Sequence, residues 1–334
     1  MLEEICPSAK RKRAETDSPE ATAFDLKSMV RSPKLWMPYG DFILRAESTL
    51  FRVNRDVLAR HSSVFREMFA AQPPNEPTIE GCPIVIVVDT AADWELLLER
   101  LYDRPFQNEE ALSLDLVGAM LRLGTKYAIC TARENAVWRI HQEFPVTLES
   151  WDEMEAGLRP EKIRYQPGFL VEVLKLVYEG GIRSSIPITA FCCVRAFKMW
   201  ALRRDEILRK DGSRITLPEE LKGMLTGASE PIAQFDHEFF RWLTDDWVIP
   251  REWCISPIEC RKRRGELHGI FTTGDGDRRY HTLSIWHADS DWSKGLCEAC
   301  EVAGRTRFNS NRHMAWDALP RLFGLPPWTE LKDL

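Results

Sequence analysis

Four cysteines stand in the last third of the 334-residue chain: Cys254, Cys260, Cys297 and Cys300. In Cys297-Glu298-Ala299-Cys300 two residues separate the thiols, a gap that lets both sulfurs reach one tetrahedral zinc ion, and a second pair from elsewhere would complete such a site. Cys254 and Cys260 are the available partners, with His268, His281 and His287 as substitutes. Five residues lie between Cys254 and Cys260, more than the usual knuckle holds, and there is no second Cys-x-x-Cys. The four are therefore read as reduced core cysteines, with no metal and no cofactor expected. A redox pair would need a strand running into a helix before Cys297, a context the sequence lacks.

Other chemistry is sparse. Gly274-Asp275-Gly276-Asp277 resembles the start of a calcium loop, but the alternating oxygen ligands and the closing Glu do not follow, so it reads as a tight turn. There is no Gly-x-Ser-x-Gly, no phosphate-cradling glycine loop and no dinucleotide fingerprint. The 7 His are scattered, and nothing in their spacing brings them to one point. No catalytic or cofactor-binding residue is assigned, and the chain is expected not to be an enzyme.

Composition narrows the classes further. With 44% hydrophobic and 29% charged residues, 12 Trp and 16 Phe, the sequence can fill well-packed cores. A net charge of -6 gives no whole-chain attraction to a polyanion, so direct nucleic-acid binding is not expected. The oiliest run, Cys82 to Val88, is far shorter than the roughly 20 residues of a membrane-spanning helix. Residues 1–33 mix charge, Ser and Pro without an apolar period and read as a disordered leader. Within it Lys10, Arg11, Lys12 and Arg13 form either a nuclear import signal or a solvated basic patch. The leader does not have the order of a secretory signal, and the 9 Cys suit a reducing compartment, so nucleus or cytoplasm is expected.

The elements come next. Phe42, Leu44 and Ala46 alternate with other residues, and a polar corner then leads into Ser48 to Val53, which predicts an antiparallel strand pair. Val57 and Leu58, then Phe65, Met68 and Phe69, fall on one face either side of His61-Ser62-Ser63, predicting two short helices with a polar break. The run Pro83 to Val88 does not alternate and is read as the central strand, covered on both faces. Three amphipathic helices follow, with stripes at Trp94, Leu97, Leu98 and Leu101, at Leu116, Ala119, Met120 and Leu123, and at Ala136, Val137 and Ile140.

Taken together, the segment from Trp36 to about Phe144 resembles the BTB (POZ) domain. The likeness is carried by Asp41, Phe51 to Ala59, Ser62 to Phe69, Ile84 to Val88, Leu96 to Tyr102 and Leu121 to Tyr127. It is closest to the BTB proteins of mushroom-forming fungi, through Leu35-Trp36, Ala46 to Val53, Glu80 to Pro83 and Leu121 to Tyr127. The resemblance implies an α+β fold, a small sheet with a cluster of helices, and a non-enzymatic role in protein–protein interaction through homo- or hetero-oligomerisation. It also implies that Asp41 and Arg55 line a charged pocket near a homodimer contact. The plain alternative for that pair is a surface salt bridge. Where the family usually has His, this chain has Asn54, which can still cap the helix.

Two other roles are implied. One is a substrate adaptor of a cullin-type ubiquitin ligase. Such domains often carry an apolar residue, any residue, then Glu after the hairpin; here only Pro74-Asn75-Glu76 or Thr78-Ile79-Glu80 stands nearby. The other is a transcription-associated nuclear regulator acting through partners.

The expected organisation is a leader over 1–33, a BTB domain over 34–145, a helical extension over 146–230 and an irregular Trp-rich region over 231–334. In the extension, Thr147 or Ser150 starts a helix that Trp151 anchors. A second helix is striped by Leu170, Val173, Leu174 and Val177 and stops at Gly180-Gly181. A third, opened by Pro187, carries Ala190, Cys193, Val194, Phe197 and Ala201. Near the end, Trp316, Leu319, Phe323, Leu325, Trp328 and Leu331 form either a docking motif or a lid, with Pro320 opening a short helical turn and Gly324 closing it.

Overall fold

The computed structural model describes residues 29–71, 78–103, 110–245, 253–273, 282–285 and 292–334. Lys10, Arg11, Lys12 and Arg13, most of the expected leader, the Pro74-Asn75-Glu76 loop and the Gly274 to Asp277 turn lie outside them. The described chain forms two units. Unit 1 holds residues up to 143 together with 161–165, and unit 2 holds 144–160 with 166–334.

Unit 1 is built on a five-stranded sheet in the order β1-β3-β2-β5-β4, with β1 at Val30–Trp36, β2 at Phe42–Ala46, β3 at Thr49–Val53, β4 at Thr78–Ile79 and β5 at Cys82–Val87. The expected antiparallel pair is β2 with β3, in register from Phe42 opposite Val53 to Ala46 opposite Thr49. β2 also pairs in parallel with β5. The strand buried on both faces is therefore β2, whose Phe42, Ile43 and Leu44 are all fully buried. This corrects the expectation for Pro83 to Val88. In β5, Cys82, Ile84 and Val87 are buried and Pro83 and Val85 half-buried, while Ile86 and, just beyond the strand, Val88 are exposed. A β-branched run does not show that its far end meets solvent, while Arg45 and Glu47 gave β2 a false polar rhythm.

β1 also corrects the boundary of the leader, since it begins at Val30 and pairs in parallel with β3. Pro33 made this segment read as strandless. A proline is tolerated at a sheet edge, and β1 is an edge whose register shifts between Arg31 and Trp36.

The polar break is explained by what it reaches. Helices α1 (Arg55–His61) and α2 (Ser63–Ala70) are too short to be stable alone. Ser62 between them is fully buried; its hydroxyl donates to the Tyr127 carbonyl at 2.5 Å and accepts from the Phe65 N–H at 3.0 Å. Phe65 then stacks on Tyr127 at 5.1 Å and meets Trp94 edge-on at 5.8 Å. Trp94 belongs to α3 (Ala91–Asp103), and Tyr127 ends α4 (Leu114–Lys126). α4 packs closely on α5 (Cys130–Glu143): a Cβ on Gly124 would lie 2.9 Å from the Arg133 nitrogen. The three amphipathic helices thus appear as expected.

A short segment rejoins this unit. Leu112 and Ile163 form a parallel bridge, and the buried Arg139 donates to the Glu110 and Lys162 carbonyls at 2.6 and 2.9 Å. The buried Glu143 accepts from the backbone N–H groups of Lys162 and Ile163. Burial holds its carboxyl above the ordinary 4.5, although those two N–H groups pull it down.

Unit 2 is helical: α6 (Leu148–Glu155), α7 (Phe169–Glu179), α8 (Ile186–Ala196), α9 (Met199–Arg203), α10 (Glu219–Phe240), α11 (Pro257–Thr273) and α12 (Glu298–Leu322). Thr147 caps α6 by accepting the Ser150 N–H, and Trp151 is buried with its indole N–H on the Leu283 carbonyl at 3.2 Å. The expected helix from Pro187 to Ala201 is two helices, because Phe197 is extended and ends α8. The region expected to be irregular carries the 17-residue α11 and the 25-residue α12, and α10 runs through the expected boundary at 230. Sequence periodicity is weak there because Phe239, Phe240, Phe271, Trp292 and Phe308 build the core as an aromatic cluster; Phe240 stacks on Phe271 and Trp292 meets it edge-on, both at 4.7 Å. Among the described residues no helix is long and apolar enough to cross a membrane.

Two measurements check these contacts. Ser62→Ala removes a helix cap and leaves the Tyr127 carbonyl without its donor, so urea unfolding should show a loss of about 2 kcal/mol. For Glu143 the raised folded value means that the fold holds its proton to higher pH than the unfolded chain. Its contribution to stability therefore falls as pH rises from about 4.5 through the folded value. Glu143→Gln keeps an acceptor but cannot ionise, so the parent should lose ground to the variant across that rise and by a constant amount above it. Unfolding midpoints measured in steps from about pH 4 to pH 8 report the difference.

Candidate functional site

Asp41 and Arg55 meet as the sequence suggested, but through a different main contact. The Asp41 Oδ1 accepts the backbone N–H of Arg55 at 2.8 Å, so a residue just before β2 closes the first turn of α1. The guanidinium is farther off, with Nε 4.0 Å from Asp41 Oδ2. The carboxylate is 55% exposed and Arg55 31%, so the charge–charge part of the contact is solvent-screened.

Asn54 does not cap α1 with its side chain, which corrects the expectation for that position. Its amide donates to the Tyr39 carbonyl at 2.9 Å, and its oxygen accepts from the Tyr102 hydroxyl at 3.1 Å. The Asn54 side chain is engaged by Tyr39 and Tyr102, and Asp41 serves the helix end in its place.

The Tyr39 carbonyl is held by Asn54, the residue before Arg55, and Asp41 holds the Arg55 N–H, so three residues of different chemistry lie close together in unit 1. Tyr39 is 91% exposed, Asp41 offers a carboxylate, and Arg55 lies with its guanidinium 5.5 Å from the Phe69 ring. An exposed tyrosine with charges of both signs nearby has the composition of an interaction hot spot. Sequence pattern found Asp41 and Arg55, but Tyr39 was missed; a lone aromatic in a Pro-Tyr-Gly corner carries no periodic signal.

The Thr78-Ile79-Glu80 segment turns inward. Ile79 packs against the Ile43, Leu50 and Ile84 cluster, and Glu80 pairs with Arg31 at 2.5 Å and with Arg52 at 3.7 Å.

In unit 2 the four cysteines come together, with Cys260 and Cys300 in a small buried cluster against which Cys254 and Cys297 pack. Their sulfurs all lie within 4.8 Å of one another, with Cys254 3.4 Å from Cys300 and 3.9 Å from Cys297. The five-residue gap is bridged by a turn. Ser256 accepts the Cys260 N–H at 2.9 Å at the start of α11, which curls Cys260 back beside Cys254. Cys297 caps α12 and Cys300 sits in its first turn. Burial acts to raise the Cys297 thiol, but the N–H groups of Cys300 and Ile255 and the neighbouring thiols bring it to about 6. His268 lies elsewhere, facing His237 at 6.4 Å, and His281 and His287 are outside the described residues.

The chain end folds back within unit 2. Pro320 does not open a turn; it lies inside α12, and Gly324, with φ of 69°, follows the helix end. A proline at 320 has no N–H to give the Trp316 carbonyl. The Trp328 indole N–H takes that acceptor at 2.8 Å, and the two indoles stack 5.2 Å apart. Asp333 accepts from both the backbone N–H and the hydroxyl of Ser184 at 3.0 Å.

Comparison with known families follows this geometry. Residues 35–137 match the model of the BTB/POZ domain. Unit 1, with its small curled sheet and helical cluster, is that domain, and the domain is a protein–protein interaction module. No curated protein matches the chain at a significant level.

The folded-back end can be tested directly. Trp328→Phe keeps the stack and loses the hydrogen bond, and should cost about 1 kcal/mol; Trp328→Ala loses both, and should cost about 2 to 3 kcal/mol. Thermal melts of the full chain give the order of the three proteins.

Proposed function

We propose that the chain is a non-enzymatic interaction protein whose BTB/POZ domain pairs with a second copy of itself, of the type found in mushroom-forming fungi, in the nucleus or cytoplasm. The observation that carries this is the exposed Tyr39 beside Asp41 and Arg55 on the BTB/POZ unit. Such domains often dimerise, and this patch has the charge of both signs that a two-fold contact needs, since each copy presents an acid and a base to the other. The fungal type is supported by Leu35-Trp36 and Leu121 to Tyr127, and the nuclear option by Lys10, Arg11, Lys12 and Arg13.

The cullin-adaptor reading has less support. Its apolar-x-Glu element is missing in its usual form, and Glu80 is already held by Arg31 and Arg52. A role in transcription would run through partners, because a net charge of -6 gives no drive toward DNA.

Light scattering of the full chain at tens of micromolar should report a dimer. Asp41→Asn retains an acceptor for the Arg55 N–H, so the fold should lose less than about 1 kcal/mol while dimerisation weakens roughly tenfold. Asp41→Asn with Arg55→Gln should recover part of that loss. A monomeric parent, with both variants as stable as it is, contradicts the proposal, and binding to a cullin scaffold at micromolar concentration favours the adaptor reading.

A further inference from the structure

The cysteine cluster belongs to unit 2, whereas the proposed interaction surface belongs to unit 1. Four sulfurs at the corners of a tetrahedron around one zinc ion, with Zn–S of about 2.3 Å, are about 3.8 Å apart. The Cys254–Cys300 and Cys254–Cys297 separations, 3.4 and 3.9 Å, bracket that value, and all four sulfurs fall within 4.8 Å of one another. A disulfide requires sulfurs about 2.05 Å apart, so no pair is bonded, and all four are free thiols. An iron–sulfur cluster would need its thiolates spread around several metal and sulfide atoms, whereas this set encloses the space of a single ion.

The surroundings suit four thiolates. The Cys297 N–H donates to Cys260 Sγ at 3.2 Å, and the N–H groups of Ile255 and Cys300 point at Cys297 Sγ. Backbone donors of this kind orient and stabilise bound thiolates. Cys297 also stands at the N-terminus of the 25-residue α12, the positive end of the helix dipole.

Cys260 and Cys300 are almost fully buried, and among the described residues Leu296 and Ala303 pack against them beside Cys254 and Cys297. Four sulfurs gathered in so small a cluster make a complete coordination shell. We infer that Cys254, Cys260, Cys297 and Cys300 bind one structural zinc(II) ion that pins the start of α11 to the start of α12. The four thiols enter as thiolates and their protons pass to solvent. With four protein ligands the shell is closed, so the ion serves structure and not catalysis.

The test uses the full chain. Metal analysis of protein purified under reducing conditions without added metal should find one zinc per chain. Cys297→Ser with Cys300→Ser should lose it, and Cys82→Ser, outside the cluster, should retain it. If the double variant fails to fold, the parent still decides the matter. After zinc is stripped under reducing conditions, cobalt(II) should give the intense absorption of a tetrahedral tetrathiolate, saturate at one equivalent, and be displaced by zinc. A folded, reduced parent that takes up neither ion overturns the inference. So does iron in place of zinc, or a disulfide between Cys254 and Cys300 in protein kept reduced throughout.

Discussion

A hairpin of seven- and eight-residue helices has no stability of its own, so its place is decided by what lies under Ser62. That hydroxyl is fully buried and used in both directions, as a cap for α2 and as a donor to the last carbonyl of α4. Once the break is fixed there, Phe65 packs against both Trp94 and Tyr127, which also touch each other, and α3, α4 and the hairpin share one aromatic core. The same hairpin is tied to the sheet at its entry, where Asp41 takes the first N–H of α1. The residues of the proposed interaction patch, Asp41 and Arg55, thus also hold the hairpin to the sheet.

Unit 2 uses side chains to supply backbone groups that its own sequence leaves unsatisfied. Pro320 removes a helix donor, and Trp328 replaces it from beyond the helix end. The Leu283 carbonyl accepts from both Trp151 and the buried Arg312, which also pairs with Asp152. Aromatic residues with a polar edge suit this role, because they fill volume and carry one donor to a fixed place. This explains a Trp-rich region without a helical stripe: the tryptophans act as connectors between elements.

Much of the fold was legible. The strand pair, the broken hairpin, α3 to α5 and the start of α6 are local patterns of period two or three to four, and each was read within a few residues. Errors arose where neighbours override the pattern. β5 is rich in β-branched residues yet meets solvent at Ile86, while β2 has polar neighbours yet is buried on both faces, since burial depends on which strands flank a strand. β1 was hidden by Pro33, which only an edge position excuses. Phe197 lay on an apolar stripe, but its extended backbone splits the expected helix in two.

By itself the sequence determined the periodic elements, because each rests on residues whose spacing along the chain already places them on one face, while the module and the pairing of Asp41 with Arg55 came from resemblance to a family. Only the tertiary structure decided which strand lies at the centre of the sheet, that the Tyr39 carbonyl is held by Asn54 next to Arg55, and that four cysteines separated by a long stretch of chain share one point. These are convergences between segments, and no local spacing encodes them. Cys254 and Cys260 look too far apart for a common ligand until the turn at Ser256 and the first turn of α11 fold the intervening residues away.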